Sequence, residues 1–263
     1  MALLFIDFSN IARSCWHPAQ AAEDAGKKAL VKHLAESSLC RQHVAEVGGC
    51  HPLCETGPKE YDAHEVFKTN LKLKMQTIQE HTGEAPSARW VWAVDDHCQW
   101  RRDAVPQYKA NRDKTSFDPR PEALRFLANE FPEMHWAIAD GAEADDVIAT
   151  LVAKRGSQDV VIVSGDKDLW QLLQPGVKVF LPTKKTFVTP EMVEEEFGCS
   201  PRHIPLYKAF WGDTSDNLPN LLPRQQKAIL PFIRSSDGTP GTVLLRLLES
   251  NITPKLRQAL IET

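Results

Sequence analysis

Long apolar runs are missing from this 263-residue chain: none approaches about 18 residues, the minimum for a helix that crosses a membrane. The opening Met1-Ala2-Leu3-Leu4-Phe5-Ile6-Asp7 has no basic leader and meets an aspartate at once, which is unlike a signal peptide. Cysteine is scarce, six residues with four before residue 60, and does not suit a secreted disulfide scaffold. The compartment expected from this is a reducing cytosol. Positive charge is not in excess, since 31 Lys+Arg face 35 Asp+Glu for a formal net charge of −4. Taken alone, that balance argues against a nucleic-acid partner. There is no internal repeat and no low-complexity tract. What is present, 42% hydrophobic and 25% charged residues, supplies a core for one large domain or one domain with a small appendage.

Three short continuous apolar runs stand out: Leu3-Leu4-Phe5-Ile6, Trp90-Val91-Trp92-Ala93-Val94 and Val160-Val161-Ile162-Val163. Continuity rather than alternation predicts strands buried on both faces of a parallel sheet. Helical periodicity separates them, over about Glu65–Glu80 and about Ala144–Lys154, and Val177–Leu181 is a further strand candidate after Gln174-Pro175-Gly176. The predicted class is therefore α/β, a mostly parallel central sheet flanked by helices. From residue 190 only helical signals remain, opening with Thr189-Pro190-Glu191 and Ser200-Pro201, each a cap residue followed by proline. The expected division is an α/β core over 1–189 and a helical region over 190–263. Within the core, residues 37–58 read as an insertion. Trp90 and Trp92 are assigned to the core. Core is also the preferred reading of Trp100, Trp136, Trp170 and Trp211, and Cys15, Cys98 and Cys199 are given no function.

Each buried strand ends at an aspartate. Ile6 leads to Asp7, Val94 to Asp95-Asp96, and Val163 to Ser164-Gly165-Asp166-Lys167-Asp168. One such aspartate is ordinary turn chemistry, but sites in parallel sheets form at the carboxyl ends of strands, where three would converge. Glu143-Ala144-Asp145-Asp146 adds more acid than a helix cap needs. Asp213 and Asp216 follow in Gly212-Asp213-Thr214-Ser215-Asp216-Asn217. Crowded carboxylates raise one another's pKa, and bound divalent cations relieve that. An oxygen-only donor set suits Mg²⁺ or Mn²⁺ and disfavours zinc. Two ions about 3.5–4 Å apart support phosphoryl transfer. With nine site acids set aside, 26 acids face 31 bases, a balance of +5 that permits a nucleic-acid substrate.

In order and wording these motifs resemble the 5′ nuclease family of flap endonucleases, polymerase 5′→3′ exonuclease domains and short phage exonucleases. The resemblance is carried by Phe5-Ile6-Asp7-Phe8-Ser9-Asn10, Ala93-Val94-Asp95, Tyr108-Lys109-Ala110-Asn111-Arg112, Glu143-Ala144-Asp145-Asp146, Ser164-Gly165-Asp166-Lys167-Asp168 and Gly212-Asp213-Thr214-Ser215-Asp216-Asn217. It spans roughly residues 1–230, and a standalone chain is most similar to the phage-type members. It implies a PIN-like fold and two cation sites. Asp7, Asp95, Glu143, Asp145 and Asp166 would line the tighter one. Asp168, Asp213 and Asp216, with Asp146 nearby, would serve the second, and Asp96 would be a bystander. It implies that Lys109, Arg112 and Lys208 contact the scissile phosphate and that Tyr108 stacks on a base. Arg101, Arg102, Lys114 and Arg120 fall in an arch or clamp over about 97–125 that would hold single-stranded DNA.

Two stretches depart from the family pattern. The run Leu218–Lys227 lacks the glycines of the usual helix-hairpin-helix. A degenerate hairpin without a potassium site is expected, with Arg224 and Lys227 as substitute phosphate contacts. In the 37–58 insertion, Cys40, His43, Cys50 and Cys54 have a spacing tolerable for a structural zinc, against reduced cysteines in a plain loop. The implied activity is metal-dependent hydrolysis of phosphodiesters near 5′ ends of DNA or at flaps, extending to RNA in RNA–DNA hybrids, by a monomer away from any membrane. A PIN-type ribonuclease, a carboxylate-rich phosphatase and a non-catalytic structure-specific DNA-binding protein are the alternatives.

Overall fold

A computed structural model describes residues 2–36, 62–111, 117–219, 226–237 and 239–249. Its centre is a six-stranded sheet of β1 (Leu3–Asp7), β2 (Trp90–Ala93), β3 (His135–Ala137), β4 (Val160–Val163), β5 (Val177–Leu181) and β6 (Thr186–Phe187), in the order β3-β2-β1-β4-β5-β6. The first five strands are parallel; only β6 runs antiparallel, against β5. The three apolar runs are the three central strands. Leu4, Phe5 and Ile6 are buried, as are Trp90 and Trp92 and all of Val160–Val163.

Strand alternation divides these side chains between two helical layers. Leu4, Ile6, Trp90, Trp92, Val161 and Val163 face α1 (Phe8–Glu36), α2 (Ala63–Thr82) and α4 (Arg120–Glu130), where Ile11, Trp16, Phe67, Leu71, Met75, Ile78 and Leu127 are buried. Phe5, Val160 and Ile162 face the opposite layer. That layer contains α5 (Ala144–Ala153), α6 (Pro190–Phe197), α7 (Ile204–Trp211), α8 (Gln226–Arg234) and α9 (Pro240–Glu249). A short helix, α3 (Gln99–Ala104), follows β2 and buries none of its residues. Thr189 caps α6 through the Met192 amide, with Pro190 at the first helical position.

The sequence reading missed α1, whose buried side includes small residues, Ala12, Cys15 and Ala19, and which carries Pro18 inside it. It also missed β3 and β6, three and two residues long, too short for any periodicity to register. The insertion at 37–58 with its candidate zinc ligands lies outside the described residues, as do Arg112, Lys114 and Arg224. Most of the predicted hairpin run and the side chain of Lys227 also lie outside them.

Beyond β1 the sheet is built in two directions, towards β2 and β3 on one side and β4 and β5 on the other. That reversal is a topological switch point, and a parallel sheet opens a crevice there at the carboxyl ends of its strands. Asp7 ends β1 and Asp166 lies three residues beyond β4, so the fold delivers both to this crevice.

Candidate metal and phosphate site

Asp7 is 8% exposed. Its carboxylate accepts from the Asn10 amide at 3.0 Å and the Ser164 hydroxyl at 2.7 Å. Burial pushes its pKa up to about 7 against those bonds, with Asp95 and Asp166 adding to the rise. Asn10 in turn accepts from the Gly165 amide at 2.9 Å, which stitches the start of α1 to the loop after β4. Asp95 is held on both oxygens, by the Ser9 hydroxyl and by the Ala144 amide at 2.7 Å at the start of α5. Ser9, Asn10 and Ser164 were not singled out from the sequence. Their signal was present, since each lies within three residues of a predicted ligand inside a quoted motif.

Glu143 caps α5, and its own amide donates to Asp146 at 3.0 Å, so part of the acid run does serve the helix end. The Glu143 carboxylate accepts from Arg101 at 2.8 Å, the Tyr108 hydroxyl at 2.7 Å and Lys109 at 2.6 Å. Arg101 reaches Asp146 as well, at 2.7 Å. Asp145, shielded from water and beside Asp146 and Glu143, is raised to about 6.

The second acidic set closes around Lys208 at the end of α7. Its ammonium donates to Asp168 and Asp213. Burial raises the Asp168 pKa although Lys208 opposes the rise, whereas Lys208 and Ser215 hold Asp213 below the usual carboxylate range in spite of its burial. The loop carrying Asp213 and Asp216 is pinned by reciprocal backbone bonds between Asp213 and Leu218, at 2.7 and 3.1 Å. Gly212 makes this closure feasible. Its φ of 69° and ψ of −172° suit glycine alone, and a Cβ there would lie 2.3 Å from the Pro219 carbonyl oxygen.

Asp168, Asp213 and Asp216 each offer a carboxylate oxygen within 4.8 Å of the other two. Among the described residues, they form the one group of three or more so arranged. The five acids assigned to the tighter site are not gathered in that way. Glu143 is drawn to Arg101, Tyr108 and Lys109, and Asp95 to Ser9 and Ala144, so the cluster is broader than the motif pattern suggested. Asp146, placed near the second set by resemblance, pairs with Arg101 beside Glu143 instead. Oxygen-only donors fit a hard divalent cation.

Most of the basic residues of this region are paired with acids. Arg101, Lys109 and Lys208 lie against carboxylates. Arg120 forks onto Asp118 and comes within 3.6 Å of Asp95, while Arg102 is exposed. Tyr108, expected to stack on a base, is 9% exposed and has Lys109 at 4.7 Å from its ring centre. Trp100, for which core was the preferred reading, is 58% exposed, with its indole nitrogen donating to the Gly141 carbonyl at 3.0 Å. Asp96 accepts from the Gly141 amide at 2.8 Å.

Residues 58–198 match the family model described as 5′-3′ exonuclease, N-terminal resolvase-like domain. A flap endonuclease Xni of Aliivibrio fischeri is 29% identical over 187 residues, which cover 67% of this chain and 69% of that protein. A thermostable DNA polymerase I of Thermus filiformis is 39% identical over 137 residues, 51% of this chain but 16% of the polymerase. Among solved structures, a T5 protein co-crystallized with metal ions superposes with a TM-score of 0.60 at 17% identity, covering 99% of this chain and 83% of that one. The bacteriophage T5 flap endonuclease in a pseudo-enzyme-product complex with DNA and metal ions gives 0.54 at 20% identity, over 74% and 75% of the two chains. At those identities the superpositions speak to the fold, while the family model covers more than half of the sequence: the chain belongs to the 5′-3′ exonuclease family.

Proposed function

We propose that this protein is a divalent-metal-dependent 5′ nuclease that hydrolyses phosphodiesters near the 5′ ends of DNA and at 5′ flaps. The observation that carries the reading is the meeting of Asp168, Asp213 and Asp216 beside Lys208, in a member of this family. The donor set is all carboxylate, so Mg²⁺ or Mn²⁺ is the proposed cation. Asp168, Asp213 and Asp216 would hold one ion, and Asp7, Asp145 and Asp166 would contribute to a second. Bound there, such ions supply charge neutralisation on the phosphate and activation of water.

The chain's own residues supply the rest. Lys109 and Lys208 both lie among the acids, one against Glu143 and 3.9 Å from Asp216, the other against Asp168 and Asp213. A phosphodiester bound at this cluster would meet both ammonium groups, which favour its more highly charged transition state. Ser9, Asn10 and Ser164 orient Asp7, Asp95 and the loop after β4 before substrate arrives. Contacts of this kind address phosphates rather than sugars, so the proposal extends to the RNA strand of an RNA–DNA hybrid. A monomer carries all of these groups on one chain.

Cleavage mapping on a 5′-labelled flap tests the reading. Short 5′-terminal products that need Mg²⁺ or Mn²⁺, and that vanish in Asp213→Ala, are expected. Cation-dependent binding with no cleavage would favour a non-catalytic DNA-binding role instead.

A further inference from the structure

The two segments that bear the candidate phosphate lysine and the candidate metal carboxylates are distant in sequence and joined in space. The turn at Gln107–Ala110 follows α3, and the loop Asp213–Asn217 follows α7. Two hydrogen bonds connect them. The Lys109 amide donates to the Asp216 carbonyl at 2.9 Å, and the Asn217 side-chain amide donates to the Gln107 carbonyl at 2.8 Å. Lys109 and Asn217 both have left-handed backbones, with φ of 53° and 58°, two of the three such non-glycine residues among those described. Left-handed geometry costs a lysine more than it costs an asparagine. At Lys109 it coincides with the amide bond to Asp216 and with an ammonium aimed at Glu143, 3.9 Å from Asp216.

We propose that Asn217 is a positioning residue: by clamping the Gln107 carbonyl it fixes the Lys109 turn to the carboxylate loop, so that the lysine and the cation-binding aspartates move as one body. The inference rests on the function proposed above and adds a residue that acts through Lys109. Removing the clamp leaves Asp213 and Asp216 on a loop still closed by the Asp213–Leu218 bonds and by Ser215, which donates to Asp213 through its amide and hydroxyl at 2.8 and 2.6 Å. Cation capture is then retained, and what is lost is the register of the lysine against the reacting phosphate. Misplacement of a catalytic group on this scale costs turnover more than substrate binding.

The test uses Asn217→Gly, which keeps the left-handed backbone and deletes the amide, with Asn217→Asp as a second variant that keeps the shape but loses the donor. On a labelled 5′-flap substrate kcat is expected to fall about tenfold with KM within about twofold. Mn²⁺ affinity measured without DNA should not change. In a Lys109→Ala background, Asn217→Gly should add almost nothing, because both changes remove the same placement. Hydrogen exchange over residues 105–111 should quicken in Asn217→Gly, a readout that needs no catalysis. Unaltered kcat, losses that multiply with Lys109→Ala, a parallel fall in Mn²⁺ affinity, or unaltered exchange at 105–111 would each overturn the proposal. If the wild-type chain cleaves nothing, the functional reading fails and the exchange measurement alone decides whether the clamp exists.

Discussion

Lys208 is the residue on which the second acidic set balances. Its ammonium lies between Asp168 and Asp213, with all three side chains at least half withdrawn from solvent. Replacing it with methionine leaves two neighbouring carboxylates uncompensated. Chelator-treated Lys208→Met should lose about 1–3 kcal/mol of stability, and Mn²⁺ should raise its melting temperature more than it raises that of the wild type. An equal Mn²⁺ response in both would show that the lysine does not neutralise this set. Asp7 makes the opposite prediction. As a carboxyl whose folded pKa of about 7 lies above its ordinary 3.8, it remains protonated in the folded chain where the unfolded chain has released the proton. Its contribution to stability is therefore complete below pH 3.8 and declines as pH rises to 7, by up to about 1.4 kcal/mol per pH unit. Asp145, raised to about 6, adds to that slope. Chelator-treated Asp7→Asn should thus be more stable than wild type at pH 7.5, flatter in its pH dependence and inactive. Denaturant melts at pH 5.5 and 7.5 measure this, and a wild-type protein more stable at the higher pH would refute it.

At the scale of elements, legibility followed burial. β1, β2 and β4 were readable because strands covered on both faces become uninterrupted apolar runs, and the aspartates that follow them were readable as their ends. β3 was not, because an edge strand of three residues with His135 exposed carries no pattern. The candidate acids were legible as residue types but their grouping was not. Nothing in Glu143-Ala144-Asp145-Asp146 indicates that Glu143 will be claimed by Arg101, Tyr108 and Lys109. Of these three, Lys109 reaches Glu143 from a left-handed backbone position that no glycine or asparagine announces. The Tyr108 hydroxyl likewise donates to Glu143, a contact that nothing in its motif announces. The Gly212 loop provides an element-level test. Gly212→Ala forces a Cβ onto the Pro219 carbonyl and should open the Asp213–Leu218 closure, lowering Mn²⁺ affinity by at least about tenfold while far-ultraviolet circular dichroism is retained. Undiminished Mn²⁺ affinity in a folded Gly212→Ala protein would show that the loop's closure does not set the carboxylate positions.

Over the whole molecule, the fold concentrates negative charge at one end of one sheet. The net charge of −4 becomes +5 once the nine site acids are set aside, so an acidic chain can present a basic exterior around a cation-filled crevice. Binding to a flap should then weaken steeply with salt when divalent cations are present. The sum of charges hides any such segregation, which shows in where the acids fall along the chain and at the switch point between β1 and β4. The most direct test of the central claim is a Mn²⁺ titration of the purified protein against the Asp168→Ala/Asp213→Ala/Asp216→Ala triple variant, followed by calorimetry. The account predicts that the variant loses a binding event present in the wild type and with it all cation-dependent cleavage; identical isotherms for the two proteins would contradict it.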